Sequence, residues 1–121
     1  MILDAETLAT LAELVSAKLG VSSTVRPAAL RASVREAEVL AEDVFEAPAA
    51  LVYALARNRT AFAAFGPMIV AAAFMQARVS GLRLAATPKA IADLAEAVTA
   101  SDMRYEDVRA FFSSETFPLG G

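Results

Sequence analysis

The stretch Met68 to Val79 is apolar on nearly every side; only Gln76 and Arg78 interrupt it. A helix of that composition buries most of its circumference. Gly66-Pro67 before it and Ser80-Gly81 after it punctuate it as a single helix. The segment is far shorter than the ~20 residues that cross a bilayer. Protein rather than lipid must therefore surround it, and the rest of the chain must supply the surrounding helices.

That supply is visible. Asp4 is placed to cap a first helix, with Leu8, Leu11, Val15 and Leu19 at helical spacing and Gly20 as its stop. Pro27 opens a second helix, whose inward stripe is Leu30, Val34, Ala37 and Leu40. Pro48 opens a third that runs to Arg57 and ends near Asn58, followed by a loop from Arg59 to Phe65. Leu82-Arg83-Leu84 reads as a short extended connection. Thr87-Pro88 caps and opens a fifth helix with Ile91, Leu94, Ala95 and Val98 inward. A short sixth helix spans Tyr105 to Phe112. No run alternates with period two long enough for a sheet strand, and no solenoid repeat is present. The expectation is an all-α fold: a bundle of about six helices around one buried central helix, Met68 to Val79. Residues 1–112 form the domain and residues 113–121 a loosely held tail.

Composition narrows the function. There is no cysteine, which removes disulfides, thiolate chemistry and cysteine zinc sites, and no histidine. The net charge of −3 and the lack of a basic run disfavour a nucleic-acid surface. Asp4, Glu6 and Glu13 break the N-terminal segment, which is unlike a secretory signal. A soluble, cytoplasmic protein with no membrane association is expected.

Leu55-Ala56-Arg57-Asn58 and Ser80-Gly81-Leu82-Arg83-Leu84 are landmarks of a known pattern. Together with Val25-Arg26…Leu30 and the segment Asp102 to Phe112, they resemble the Doc (death on curing) branch of the bacterial Fic/Doc family, over about Ile2 to Phe112. In that family the third helix ends L-A-x-N, the catalytic motif H-x-F-x-D-G-N-K-R-T-A follows, and the next helix ends N-G-L. The spacing between the two landmarks fits without a gap. On this register the histidine falls on Arg59, the phenylalanine on Ala61 and the acid on Ala63. The glycine falls on Ala64, the asparagine on Phe65, the lysine on Gly66 and the arginine on Pro67. A rival register sets Asn58-Arg59-Thr60-Ala61 on the end of the motif, which places Leu51 at the histidine and Leu55 at the acid. Both registers lose every reactive group.

The resemblance implies what those groups would have done. The histidine is the general base for a target hydroxyl, a role suited to imidazole; guanidinium stays protonated and cannot take it. The acid holds magnesium against nucleotide phosphates, and the lysine, the arginine and the helix N-terminus bind those phosphates. We therefore expect no catalytic residue, no metal and no cofactor. Arg57, Arg59 and Gly66 are the residues left for a residual anion site, and Phe62 and Phe65 are expected to fill the old pocket.

Other features divide the same way. Glu36, Glu38, Glu42 and Asp43 read as a solvated face, as do Glu6 with Glu13 and Asp93 with Glu96. Phe74 and Met75 are expected in the core. Phe111 and Phe112 on a short helix cannot both point inward, so these two and Phe117 are the partner-binding candidates. Arg104 suits neither a cap nor a positive helix end, which leaves capping to Ser101 or Asp102. The leading expectation is a catalytically degenerate, toxin–antitoxin-associated interaction protein that binds an antitoxin-like peptide, another protein or a copy of itself. The alternative is a transferase moving phosphate or AMP from ATP to a protein hydroxyl, with Glu46 or Asp43 as a substitute base.

Overall fold

The computed structural model describes residues 2–22, 24–59, 63–100 and 103–119. Its elements are α1 (Ala5–Leu19), α2 (Pro27–Leu40), a 3-10 turn (Val44–Glu46), α3 (Ala47–Ala56), α4 (Phe65–Val79), β1 (Leu82–Leu84), α5 (Pro88–Thr99), α6 (Tyr105–Glu115) and β2 (Thr116–Pro118). The fold is all-α with one small two-stranded ribbon.

Local chemistry sets the helix starts. Asp4 caps α1 by accepting from the Thr7 N–H at 2.7 Å, and Gly20 closes it in the left-handed region at φ 71°. Pro27, Pro48 and Pro88 sit in the first turns of α2, α3 and α5, where no backbone donor is missed. Thr87 caps α5 through the Ala90 N–H at 3.1 Å. The inward stripes of α2 and α5 fall as expected, at Leu30, Val34 and Ala37 and at Ile91, Leu94, Ala95 and Val98. In α1 the buried stripe is Leu8, Ala12 and Ser16, while Leu19 is exposed.

The central helix is not the expected one. In α3 every residue except Tyr53 is buried. It packs on α2, α4, α5 and α6. Half of its ten residues are alanine, and small side chains let neighbouring helices approach from every direction. In α4 the buried set is Phe65, Met68, Ile69, Ala72, Ala73, Gln76 and Ala77, a single stripe at three- and four-residue spacing. Its other face is solvent-accessible although apolar: Val70 and Ala71 are half-buried, Phe74 is 36% exposed and Val79 63%. Phe74 is therefore not a core residue. All-round hydrophobicity is a sign of enclosure only when there are enough neighbours, and α3 has taken them.

Residues 113–119 are held in place. Ser113 to Glu115 continue α6, and β2 pairs antiparallel with β1, with Leu82 opposite Pro118, Arg83 opposite Phe117 and Leu84 opposite Thr116. The Leu119 N–H donates to the Gly81 carbonyl at 3.0 Å. Strands of three residues are too short to show alternation in a sequence.

Gln76 is fully buried. Its Oε1 accepts from the Leu3 N–H at 2.8 Å and its Nε2 donates to Ser80 Oγ at 3.0 Å. This side chain fixes the start of the chain to the end of α4.

Candidate functional site

Leu55 to Asn58, the first landmark of the Fic/Doc resemblance, lie at the end of α3, and the positions aligned with its motif run from there to the start of α4. Leu55 and Ala56 are core residues. Asn58 is half-buried; its Nδ2 donates to the Ala29 carbonyl at 3.3 Å and to Ser33 Oγ at 3.1 Å. Ser33 donates in turn to the Ala54 carbonyl at 3.4 Å. That chain of bonds ties the end of α3 to α2, and it gives Asn58 a structural role.

The two arginines diverge from there. Arg57 pairs with Glu36 of α2 and lies 5.4 Å from the Tyr53 ring centre. Arg59 pairs with Glu96 of α5 at 2.9 Å, and its guanidinium lies 4.3 Å from the centre of the Phe65 ring. Gly66 belongs to a third place. It lines an open groove of about 500 Å³ with Pro67, Val70, Ala71, Pro88, Lys89 and Ala92. Lys89 at its rim pairs with Asp93 at 2.8 Å. Arg57 and Arg59 are each paired to a carboxylate on a different helix, and neither lines the groove that Gly66 lines.

Ala63 and Ala64 stand where the resemblance puts the acid and the glycine. The Ala63 N–H donates to the Thr24 carbonyl at 3.0 Å, and its side chain has no ligand atom. Ala64 has φ 53° and ψ 52°, the one non-glycine residue at positive φ among those described. An L-residue with a Cβ is strained there by roughly 1–2 kcal/mol. Replacing Ala64 with glycine should therefore stabilise the protein by about 1 kcal/mol and raise Tm by roughly 4 °C. Thermal denaturation followed by circular dichroism measures this, and a lower Tm would contradict the strained geometry.

Arg57 meets a different cation. With Tyr53, Val98, Met103 and Arg104 it lines a cleft of about 330 Å³. The sequence separation between α3 and α6 hides this neighbour. Its one trace in the sequence is an arginine at the positive end of a helix, with Glu106 and Asp107 beside it in the first turn. The Asp107 carboxylate answers it in part by accepting from the Arg104 N–H at 3.2 Å. Ser101 and Asp102, the expected caps, lie outside the described residues, as does Phe62.

The carboxylates nominated as substitute bases have other work. Asp43 Oδ1 accepts from the N–H groups of Phe45 and Glu46 at 2.9 and 3.2 Å, which forms the 3-10 turn. Glu46 accepts from the Tyr105 hydroxyl at 2.8 Å, with Arg109 at 3.9 Å. Burial, and then the bond to Glu46, raises the Tyr105 pKa well above the ordinary phenol range. Asp93 and Glu96 are paired to different cations. No group of three metal-ligating side chains occurs among the described residues.

Among the partner candidates, Phe112 is fully buried and is withdrawn. It seals the core, and the half-buried Phe111 stacks edge-on against it at 5.3 Å. Phe117 remains on the surface, 43% exposed, with the Arg83 guanidinium 5.0 Å from its ring centre.

No family model matches this chain and no curated protein matches it significantly. A magnesium–nucleotide site fits the residues poorly. The positions aligned with the motif offer no carboxylate and no free cation, and the groove at the start of α4 is lined almost wholly by apolar groups. No helix among the described residues is long and apolar enough to cross a membrane.

Proposed function

We infer that this chain is a catalytically degenerate Doc-like protein that acts by binding another protein. The observation that carries this reading is the start of α4, where the resemblance puts the end of the motif. The Phe65 ring is buried there and Arg59 closes over it. In this reading a buried ring takes the place of water and a phosphate chain where the resemblance puts the chemistry. Ala64 supports the register, since the position aligned with the family's glycine takes a backbone conformation that favours glycine.

The surface that replaces the lost chemistry is apolar. Phe74 and Val79 on α4 lie uncovered, as do Phe117 and Leu119 of the C-terminal segment. A cluster of that kind marks protein contact. In this reading the partner is a protein segment of the antitoxin-like kind that the resemblance implies, or a second copy, in the cytoplasm.

Calorimetric titration with ATP and magnesium tests the loss of the nucleotide site. We expect no saturable heat and no thermal stabilisation up to about millimolar nucleotide. At a hundredfold excess over Kd, a bound ligand would add about 2.7 kcal/mol. Saturable binding at micromolar affinity would overturn the reading and restore a transferase.

A further inference from the structure

Charge is segregated along this chain. From Glu36 to Glu46 there are five carboxylates and no cation. From Ala47 to Ala92 there are five cations and no carboxylate. Each block also carries exposed apolar side chains, and the two blocks reach the surface at different places.

The acidic surface is the end of α2 with the 3-10 turn. Val39 is 84% exposed, Phe45 54% and Val44 43%. Glu36 is committed to Arg57, and Glu46 to Tyr105. Glu38 and Glu42 are exposed beside the apolar residues and form no ion pair among the described residues. The basic surface is the outward face of α4 with the β-ribbon. Phe74, Arg78, Arg83 and Leu119 line one groove there, and Phe117 and Val79 are also exposed. Arg78 and Arg83 have no carboxylate partner among the described residues. The 3-10 turn packs on α3 and α6, whereas α4 packs on α1, α3, α5 and β1. The two surfaces belong to different parts of the bundle.

We propose that these two surfaces bind each other between copies, so that the acidic turn around Val39 and Phe45 of one chain docks on the Phe74–Arg78–Arg83–Leu119 groove of the next. This rests on the reading of the chain as an interaction module and names its partner as a second copy. Complementarity argues for it. An apolar patch edged by unpaired arginines selects an apolar segment edged by unpaired carboxylates, and this chain carries one. A contact between unlike surfaces is heterologous, so a pair of copies keeps one free face of each kind. Assembly then proceeds head to tail, into a closed ring or an open array.

Sedimentation velocity over about 5 to 500 µM protein reads the association directly. The sedimentation coefficient should rise with concentration, and the association should weaken roughly tenfold or more at high salt, because the charges lie at exposed rims. Arg78→Glu with Arg83→Glu disables the basic surface; Glu38→Arg with Glu42→Arg disables the acidic one. All four side chains are exposed, and circular dichroism confirms that each variant folds. Each variant alone should associate at least tenfold more weakly than the parent chain. Mixed in equal amounts they should assemble again, since the intact acidic turn of one meets the intact basic groove of the other and the two reversed surfaces are also opposite in charge. A parent chain that stays monomeric, variants that associate like the parent, or a mixture that stays monomeric would each overturn the proposal. A monomeric chain that also binds no ATP removes only the self-pairing; saturable ATP binding removes the interaction-module reading itself.

Discussion

Phe112→Ala should cost about 3–5 kcal/mol of stability, a large share of the 5–15 kcal/mol of a domain this size. Phe112 is among the largest fully buried side chains and lies on α6, which packs on α3. Its removal leaves a cavity that neither element can close easily. The alanines of α3 are already at close approach, and α6 is held at its far end by β2, whose Thr116 hydroxyl donates to the Phe112 carbonyl at 2.8 Å. Urea denaturation should show a lower midpoint with an unchanged slope. A Tm fall of roughly 10–20 °C should accompany it. Phe111→Ala is the control. Phe111 is only half-buried, so its loss should cost well under half as much; equal losses would show that the burial is misassigned.

Gln76→Ala should cost about 2–4 kcal/mol, by two separable routes. Truncation opens a cavity in α4, and the buried Leu3 N–H loses the Oε1 that accepts it at 2.8 Å. Gln76→Leu keeps most of the volume and removes the buried acceptor, together with the Nε2 that donates to Ser80 Oγ. It should cost about 1–3 kcal/mol, the penalty of an unsatisfied buried donor. Hydrogen exchange at Leu3 reports the route the two variants share, since both should expose that amide, and the difference between their costs reports the cavity. A Gln76→Leu variant as stable as the parent would mean that this hydrogen bond contributes nothing.

What was legible in the sequence follows from how local each feature is. Asp4, Gly20, Pro27, Pro48 and Thr87-Pro88 act within one turn of themselves, and the helix starts they specify are where the residues place them. The inward face of α5 was legible for the same reason, because its polar and apolar residues alternate cleanly at helical period. The choice of central helix was not. Apolar composition marks both α3 and α4, and which one is surrounded depends on the packing of four other helices, a non-local property. The β-ribbon pairs residues more than thirty positions apart through backbone groups alone, and backbone pairing leaves no signature in three side chains.

The candidate site was legible only as loss. Replacing histidine and acid by Arg59 and Ala63 can be read from residue types, without coordinates. The partition of Arg57 and Arg59 between Glu36 and Glu96 cannot, since each pair joins different helices. The same holds for Glu46, whose tie to Tyr105 spans α6 and the 3-10 turn. Phe112 was nominated for a partner because sequence shows two adjacent phenylalanines and does not show which one points inward. The exposed face of α4 escaped notice because its residue types are those of a core.

Gln76 has a consequence for how the chain is made. The Leu3 amide finds its acceptor 73 residues further along, and Leu119 closes onto Gly81, just beyond the same helix. A ribosome adding about 5–20 residues per second needs roughly 4–15 s to travel from the first of those positions to its acceptor. During that time α1 can form its own turns and meet α2, but the side it turns toward α4 has nothing to dock against. The segment from Leu3 through α1 therefore waits, part of its apolar stripe unsheltered, until α4 has been made.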